Sequence, residues 1–393
     1  MSTAKVKRKF GIASEQEILD AKVTDVYFER THQILEAKGI SKNVKMEIRL
    51  KSLPNQWPWG ILSGIEEALN FLEGHPINVW ALPEGTLFHA REPVMVVEAN
   101  YEDFDKLETS LLGFLCHASG IATKAARCVI AADGRPVASF GARRAHPAIA
   151  PMMERAALIG GCNGVSSVLA AEYLGVDPIG TIPHALILLV ESSTKAVAMF
   201  DEVIDASVPR VVLVDTFGDE KFEALENANR LGKKLHAVRL DTPSSRRGDM
   251  LEIAREVRWE LDIHGHNHVK IFITGGLDED TIPPLNEAAD AYGVGTAICN
   301  ARVFDFGLDI VEIEGRPVSK RGKFSGTKQL YICPQCGKRL IKLWDDENVV
   351  CPNDGQQALP QLEQVIDRGK LLHGLPSPQE IQAFVLKQLP KTL

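Results

Sequence analysis

The chain has 393 residues, 45% of them hydrophobic and 24% charged, with a formal net charge of −8. That length suits two or three domains, and the balance is that of a soluble globular protein acting without nucleic acid, although a local basic pocket stays open. No apolar run approaches the ~18 residues that cross a bilayer, and no apolar stretch follows the basic start at Lys5, Lys7, Arg8 and Lys9, so no membrane role or secretory signal is read and cytoplasm is the expected compartment.

Residues 1–125 mix short strands and helices, as an N-terminal α+β domain does. Ile65, Ala68, Leu69 and Leu72 fall at helical spacing, and Val94, Val96 and Val97 mark strand in 83–99. Trp57 and Trp59 flank Pro58 and are expected at a domain or subunit contact. Over 126–302 a short apolar strand followed by an amphipathic helix recurs. Strands are expected at 137–140, 179–182, 186–189, 211–214, 235–238, 269–273 and near Val294. Helices are expected through Phe222, Leu225, Ala228 and Leu231, and through Met250, Ile253, Ala254, Val257 and Leu261. This pattern predicts an irregular α/β barrel, with chemistry at the C-terminal ends of its strands. Strands at 311–313 and 317–323 return 303–330 to the first domain, and 331–393 forms a small zinc-ribbon-like module. Its closing helix starts with Ser377 as N-cap, Pro378 in the first turn and Glu380 completing a capping box.

The expected strand ends collect a narrow set of residue types: Phe140 with Arg143 and Arg144, Thr181 with His184, Asp215, Arg239 with Asp241, Gly275 with Gly276, and Gly295 with Thr296. Helix capping explains an isolated Asp or Thr but not the whole set. Paired glycines expose amides that wrap a phosphate. Guanidinium matches pyrophosphate or carboxylate, and two carboxylates suit Mg²⁺ or ribose hydroxyls. The pocket therefore reads as one for a doubly phosphorylated sugar and an anionic partner.

Cys333, Cys336 and Cys351 with Asp354 have the spacing of a tetrahedral Zn²⁺ site, with Asp354 in the last place and solvent or His373 as alternative fourth ligands. Cys116, Cys128, Cys162 and Cys299 are scattered and read as reduced thiols. His264, His266 and His268 resemble a metal run, but they link a helix to a strand and read as a surface loop.

The strings FGARRAHP, GGCNGVSS, GTIPHA, VDTF, RLDT, TGGLDE and YGVGTA, with Thr24-Asp25-Val26-Tyr27 before them, resemble in order the motifs of the nicotinate phosphoribosyltransferase family, over residues 24–330. The resemblance implies a type II phosphoribosyltransferase fold that joins nicotinate to phosphoribosyl pyrophosphate in NAD biosynthesis. It implies that Phe140 stacks on one face of the pyridine and Tyr27, from a neighbouring subunit, on the other, which makes the protein a homodimer or larger with a shared site. It assigns Arg143, with Arg144 beside it, to the nicotinate carboxylate or the pyrophosphate. Thr181 belongs to the same pocket, in which Asp215, Arg239 and Asp241 hold ribose, pyrophosphate and Mg²⁺. Gly275, Gly276, Gly295 and Thr296 hold the 5′-phosphate. His184 is placed where the family carries a histidine phosphorylated from ATP, although Pro183 replaces a commoner alanine. The neutral Asn163 favours nicotinate over nicotinamide. Quinolinate is a further alternative, and the rival class is a zinc-ribbon interaction or nucleic-acid-binding protein built on a barrel scaffold.

Overall fold

The strand Asn43–Leu50 buries Val44, Met46, Ile48 and Leu50 in alternation, as a sheet with one face on a core requires. In this computed structural model, which describes residues 8–245 and 248–393, the chain divides into two units. The first comprises the residues up to Gly120 together with Arg302–Ser377. Lys5 and Lys7 lie outside the described residues.

The first unit is built on a seven-stranded antiparallel sheet. Its strands run in the order Arg316–Pro317, Phe306–Ile313, Asn43–Leu50, Pro93–Asn100, Asn78–Ala81, Glu363–Asp367 and Lys370–Leu371. The helix Ile65–Leu72 buries Ile65, Ala68, Leu69, Phe71 and Leu72 in the core that also takes Trp57. Both Trp57 and Trp59 are buried. The strand expected over 317–323 stops at Pro317. A hairpin of Lys328–Ile332 and Arg339–Leu343 is joined to the rest of this unit by Arg339, whose guanidinium donates to both Glu92 oxygens at 2.6 and 2.8 Å.

The second unit comprises Ile121–Ala301 with Pro378–Leu393. Among its described residues six strands form the sheet, β1 (Val137–Ser139), β2 (Gly164–Val165), β3 (Arg210–Leu213), β4 (Leu235–Leu240), β5 (Lys270–Thr274) and β6 (Ala291–Val294), all parallel. They lie in the order β2-β1-β6-β5-β4-β3. This is chain order wrapped into a ring and broken between β2 and β3, so the barrel is incomplete. The segment expected as a strand at 179–182 crosses that break without forming one. Ile179 N–H donates to the Val165 carbonyl at 2.8 Å on one side, and Ile182 N–H to the Val211 carbonyl at 3.4 Å on the other. The strand expected at 186–189 is instead part of the helix His184–Leu189, of which only Ile187 is buried. A four-residue apolar run has no period that separates the two states.

The helices Glu220–Leu231 and Met250–Ile263 follow β3 and β4, each started by an aspartate side chain, Asp219 or Asp249, that accepts a backbone N–H of the first turn. The closing helix Pro378–Gln388 forms at the expected place but belongs to this unit. It buries Ile381 and Val385, and the Gln382 amide donates to the carbonyls of Leu158 and Cys162 at 2.9 and 2.7 Å. The residues after 331 thus divide between the two units, with Ser377 ending the first and Pro378 resuming the second.

At Gly64 the backbone has φ +90°, and an added Cβ would lie 2.3 Å from the Phe114 carbonyl oxygen. Gly64→Ala should therefore cost about 3 kcal/mol or more, read as a lowered denaturant midpoint with an unchanged slope.

Candidate functional site

Period-two alternation along the parallel strands puts Arg239, in the last pleat of β4, and Asp241, just after that strand, on one face, with Thr274 as the last residue of β5 beside them. The Arg239 guanidinium is held on three sides. Its Nε donates to Thr274 Oγ1 at 2.9 Å, Nη1 to Thr181 Oγ1 at 2.8 Å and Nη2 to Asp241 Oδ2 at 2.9 Å. Thr274 Oγ1 in turn donates to Asp241 Oδ1 at 2.7 Å. The guanidinium carbon sits 5.4 Å from the centre of the Phe140 ring, and that ring meets Phe272 edge-on at 5.6 Å. Burial pulls the Arg239 pKa down, while the charges of Asp241 and Asp215 raise it. Arginine stays protonated under such opposition.

His184 starts its helix beside this cluster. Its Nδ1 lies 3.0 Å from Thr216 Oγ1, and its Nε2 is 3.8 Å from both Asp215 Oδ1 and Asp241 Oδ2. The Asp215 side chain is 2% exposed, and neither carboxylate oxygen has a hydrogen-bond partner. Burial is the main cause that pushes its pKa up to about 6; His184 and Arg239 oppose the shift and Asp241 reinforces it.

The other wall is made of backbone. Gly275 and Gly276 have φ +94° and +72°, two successive left-handed residues that give a concave run of amides. A Cβ on Gly293 would come within 2.7 Å of both Phe140 and Thr274, so glycine there lets the ring lie across the sheet end. Phe140, Arg143, Arg144, Arg239, Asp241, Thr274 and the glycines 275, 276, 293 and 295 line one pocket with Thr296.

Most of the residues singled out in the sequence therefore converge, in this pocket or at its edge. Asn163 does not. It sits at the start of β2, where its Oδ1 accepts the Val137 N–H at 2.9 Å, and it lines a cavity of about 710 Å³ with residues from strand beginnings such as Lys270 and Ala291. Tyr27 lies in the first unit on the helix Val26–Lys38, 54% exposed and against Phe28. Sequence reasoning passed over Thr274 as a site residue. The signal was its place as the last residue of β5, before the glycine pair.

Cys333, Cys336, Cys351 and Asp354 converge, each offering a ligand atom within 4.8 Å of the others. Two matching knuckles do this. Cys333 N–H donates to the Lys338 carbonyl and Gly337 N–H to the Cys333 carbonyl, at 2.9 and 3.0 Å. Cys351 N–H with Gln356 and Gly355 N–H with Cys351 repeat the pattern at 2.8 and 3.0 Å. Asp354 thus occupies in the second knuckle the place of Cys336 in the first. Hydrogen bonding from the Gln356 N–H holds its carboxyl down to about 2. His264, His266 and His268 are engaged separately, facing the Glu260 carbonyl, Asn229 Oδ1 and the Gly232 carbonyl.

The family model for the N-terminal domain of quinolinate phosphoribosyl transferase matches residues 25–119, and the model for its C-terminal domain matches residues 121–309. The chain is 32% identical over 348 residues to a nicotinate phosphoribosyltransferase of Mycobacterium tuberculosis, covering 78% of this chain and 73% of that protein. It is 29% identical over 318 residues to the nicotinate phosphoribosyltransferase of Bacillus subtilis, covering 71% and 63%. Among solved structures, the nicotinate-nucleotide pyrophosphorylase of Pyrococcus furiosus matches at 53% identity and TM-score 0.95, over 97% of this chain and 98% of that one. The human nicotinic acid phosphoribosyltransferase shares the fold, at 19% identity and TM-score 0.75 over 93% of each chain.

Asp215 gives a test that needs no substrate. Between pH 3.8 and about 6 the folded chain keeps a proton that the unfolded chain has lost, so this group's contribution to stability falls as pH rises through that window. Asp215→Asn should melt higher than wild type above pH 6, with the difference vanishing below pH 4.

Proposed function

The chain belongs to the nicotinate phosphoribosyltransferase family, and we propose on that footing that it joins the ring nitrogen of nicotinate to C1 of phosphoribosyl pyrophosphate, forming nicotinate mononucleotide and pyrophosphate for NAD biosynthesis. The observation that carries this reading is the convergence of Arg239, Asp241, Asp215 and the Gly275–Gly276 turn at one strand-end pocket.

The pyridine nitrogen is already a nucleophile, so no general base is needed. The barrier lies in breaking the C1–pyrophosphate bond, with positive charge building on the ribose. Asp241 and Asp215 face that charge, while Arg239, Arg143 and Arg144 take the pyrophosphate oxygens and the nicotinate carboxylate. Phe140 offers a ring face to the pyridine. The amides around Gly275, Gly276, Gly295 and Thr296 take the 5′-phosphate. Mg²⁺ fits the donor set, since both Asp215 oxygens are buried without hydrogen-bond partners; bound there, it would withdraw charge from the leaving group. Quinolinate would need a further cation for its second carboxylate, beyond Arg143, Arg144 and Arg239, which already serve the pyrophosphate and the nicotinate carboxylate. Tyr27, exposed on its helix, is assigned to a partner subunit's pocket in a homodimer or larger assembly. Coupling to ATP is assigned to His184, whose Nδ1 is held by Thr216 and whose Nε2, facing Asp215 and Asp241 at 3.8 Å, is the nitrogen that would take a phosphoryl group.

The Cys₃Asp cluster is assigned to a structural Zn²⁺. Metal analysis should find one zinc per chain, and chelation should lower the melting temperature.

Product analysis with nicotinate, nicotinamide and quinolinate, each with and without ATP, tests the substrate assignment; nicotinate mononucleotide should dominate, and preferential use of either alternative contradicts it. Asp241→Asn should lower kcat by about 100-fold or more while leaving the fold intact by circular dichroism.

A further inference from the structure

The Gly275–Gly276 turn has a mechanical problem. Two successive glycines in left-handed backbone are the residues with most freedom to lose, yet their amides must hold still to receive a phosphate. Asp278 does not solve it, because its bonds are to Asp280 and Thr281 within the same loop. Glu279 is tied to other parts of the unit. Its side chain is 3% exposed and meets two cations of the helix Glu108–Ala131, with Lys124 Nζ on one oxygen and Arg127 Nε on the other at 3.1 Å. Lys124 and Arg127 are themselves only 15% and 12% exposed. They lie one helical turn apart, so they present both donors to one carboxylate from one face.

A buried ion triad is a costly way to gain stability, since an apolar residue of similar volume often does as well. What it adds is direction: two fixed donors define where a carboxylate must sit, and so where the residues three and four positions earlier in the chain must sit. We propose that Glu279 is a positioning residue for the sugar-phosphate site, fixing the Gly275–Gly276 turn through Lys124 and Arg127. This rests on the reading of that turn as the 5′-phosphate cradle.

The sign of the effect separates positioning from plain electrostatics. Glu279→Gln removes a negative charge from the loop that carries the proposed phosphate site, which by charge alone would tighten phosphate binding. Loss of position weakens it. Steady-state kinetics of Glu279→Gln should show KM for phosphoribosyl pyrophosphate raised about tenfold or more, with KM for nicotinate and kcat within about twofold. Lys124→Arg, which keeps the charge and the donor, should restore most of the affinity that Lys124→Met loses. Calorimetric titration with ribose 5-phosphate should show the same weakening. An unchanged or lowered KM for phosphoribosyl pyrophosphate in Glu279→Gln, whatever its melting temperature, overturns the positioning role. If the wild-type protein forms no nicotinate mononucleotide, the functional reading fails instead, and the ribose 5-phosphate titration still decides the role of Glu279.

Discussion

A guanidinium taken from water must find partners for its N–H groups, and Arg239 finds them on three separate pieces of chain. Thr181 comes from the segment that crosses the break in the barrel, Thr274 from the end of β5, and Asp241 from the end of its own strand. Meeting all three at 2.8–2.9 Å fixes the register of those pieces relative to one another. The same hydrogen bonds that satisfy Arg239 leave its face against Phe140 and its charge beside Asp241 and Asp215. Local folding and site chemistry are therefore one problem at this end of the barrel.

The surroundings bear the cost of that arrangement. Asp215 is buried with both oxygens without hydrogen-bond partners, a cost that a proton, a bound cation or a developing positive charge relieves. Glycines clear the space: at 293 any side chain would strike Phe140, and at 141 a Cβ would lie 2.7 Å from that of Cys299. The concave wall is thus backbone, and the convex one is Arg, Asp and aromatic. Under the proposed function these two walls receive a phosphorylated sugar with an anionic leaving group and a flat ring beside it.

Much of this could be read from the residues because strand ends are chemically marked. Arg239-Leu-Asp241 and Thr274-Gly275-Gly276 combine an apolar strand with polar or glycine termini, and parallel topology brings such termini to one edge. What stayed hidden was what residue type does not encode. Asn163 lies in a matching motif, but it precedes its strand, whereas Arg239, Asp241 and Thr274 sit at the C-terminal ends of theirs, so it faces the opposite end. Residues 179–182 have strand composition but only single amide bonds to either neighbour, a consequence of the gap in the ring. Residues 186–189 are apolar all through, and tertiary setting made them helix with three of four side chains at least partly exposed. The tail shows the same limit: the cysteine spacing marks the knuckles, but only the fold reveals that Gln382 returns the last helix to the second unit.

In the proposed function the strand-end loops form one cradle for an activated ribose. A crystal structure of the wild-type protein with phosphoribosyl pyrophosphate and Mg²⁺ tests it most directly. The expected result is 5′-phosphate density against the amides of Gly276 and Gly295, pyrophosphate between Arg143, Arg144 and Arg239, and the ribose over Asp241. Phosphate density at the opposite, strand-beginning cavity, with the Arg239 pocket vacant, would contradict it.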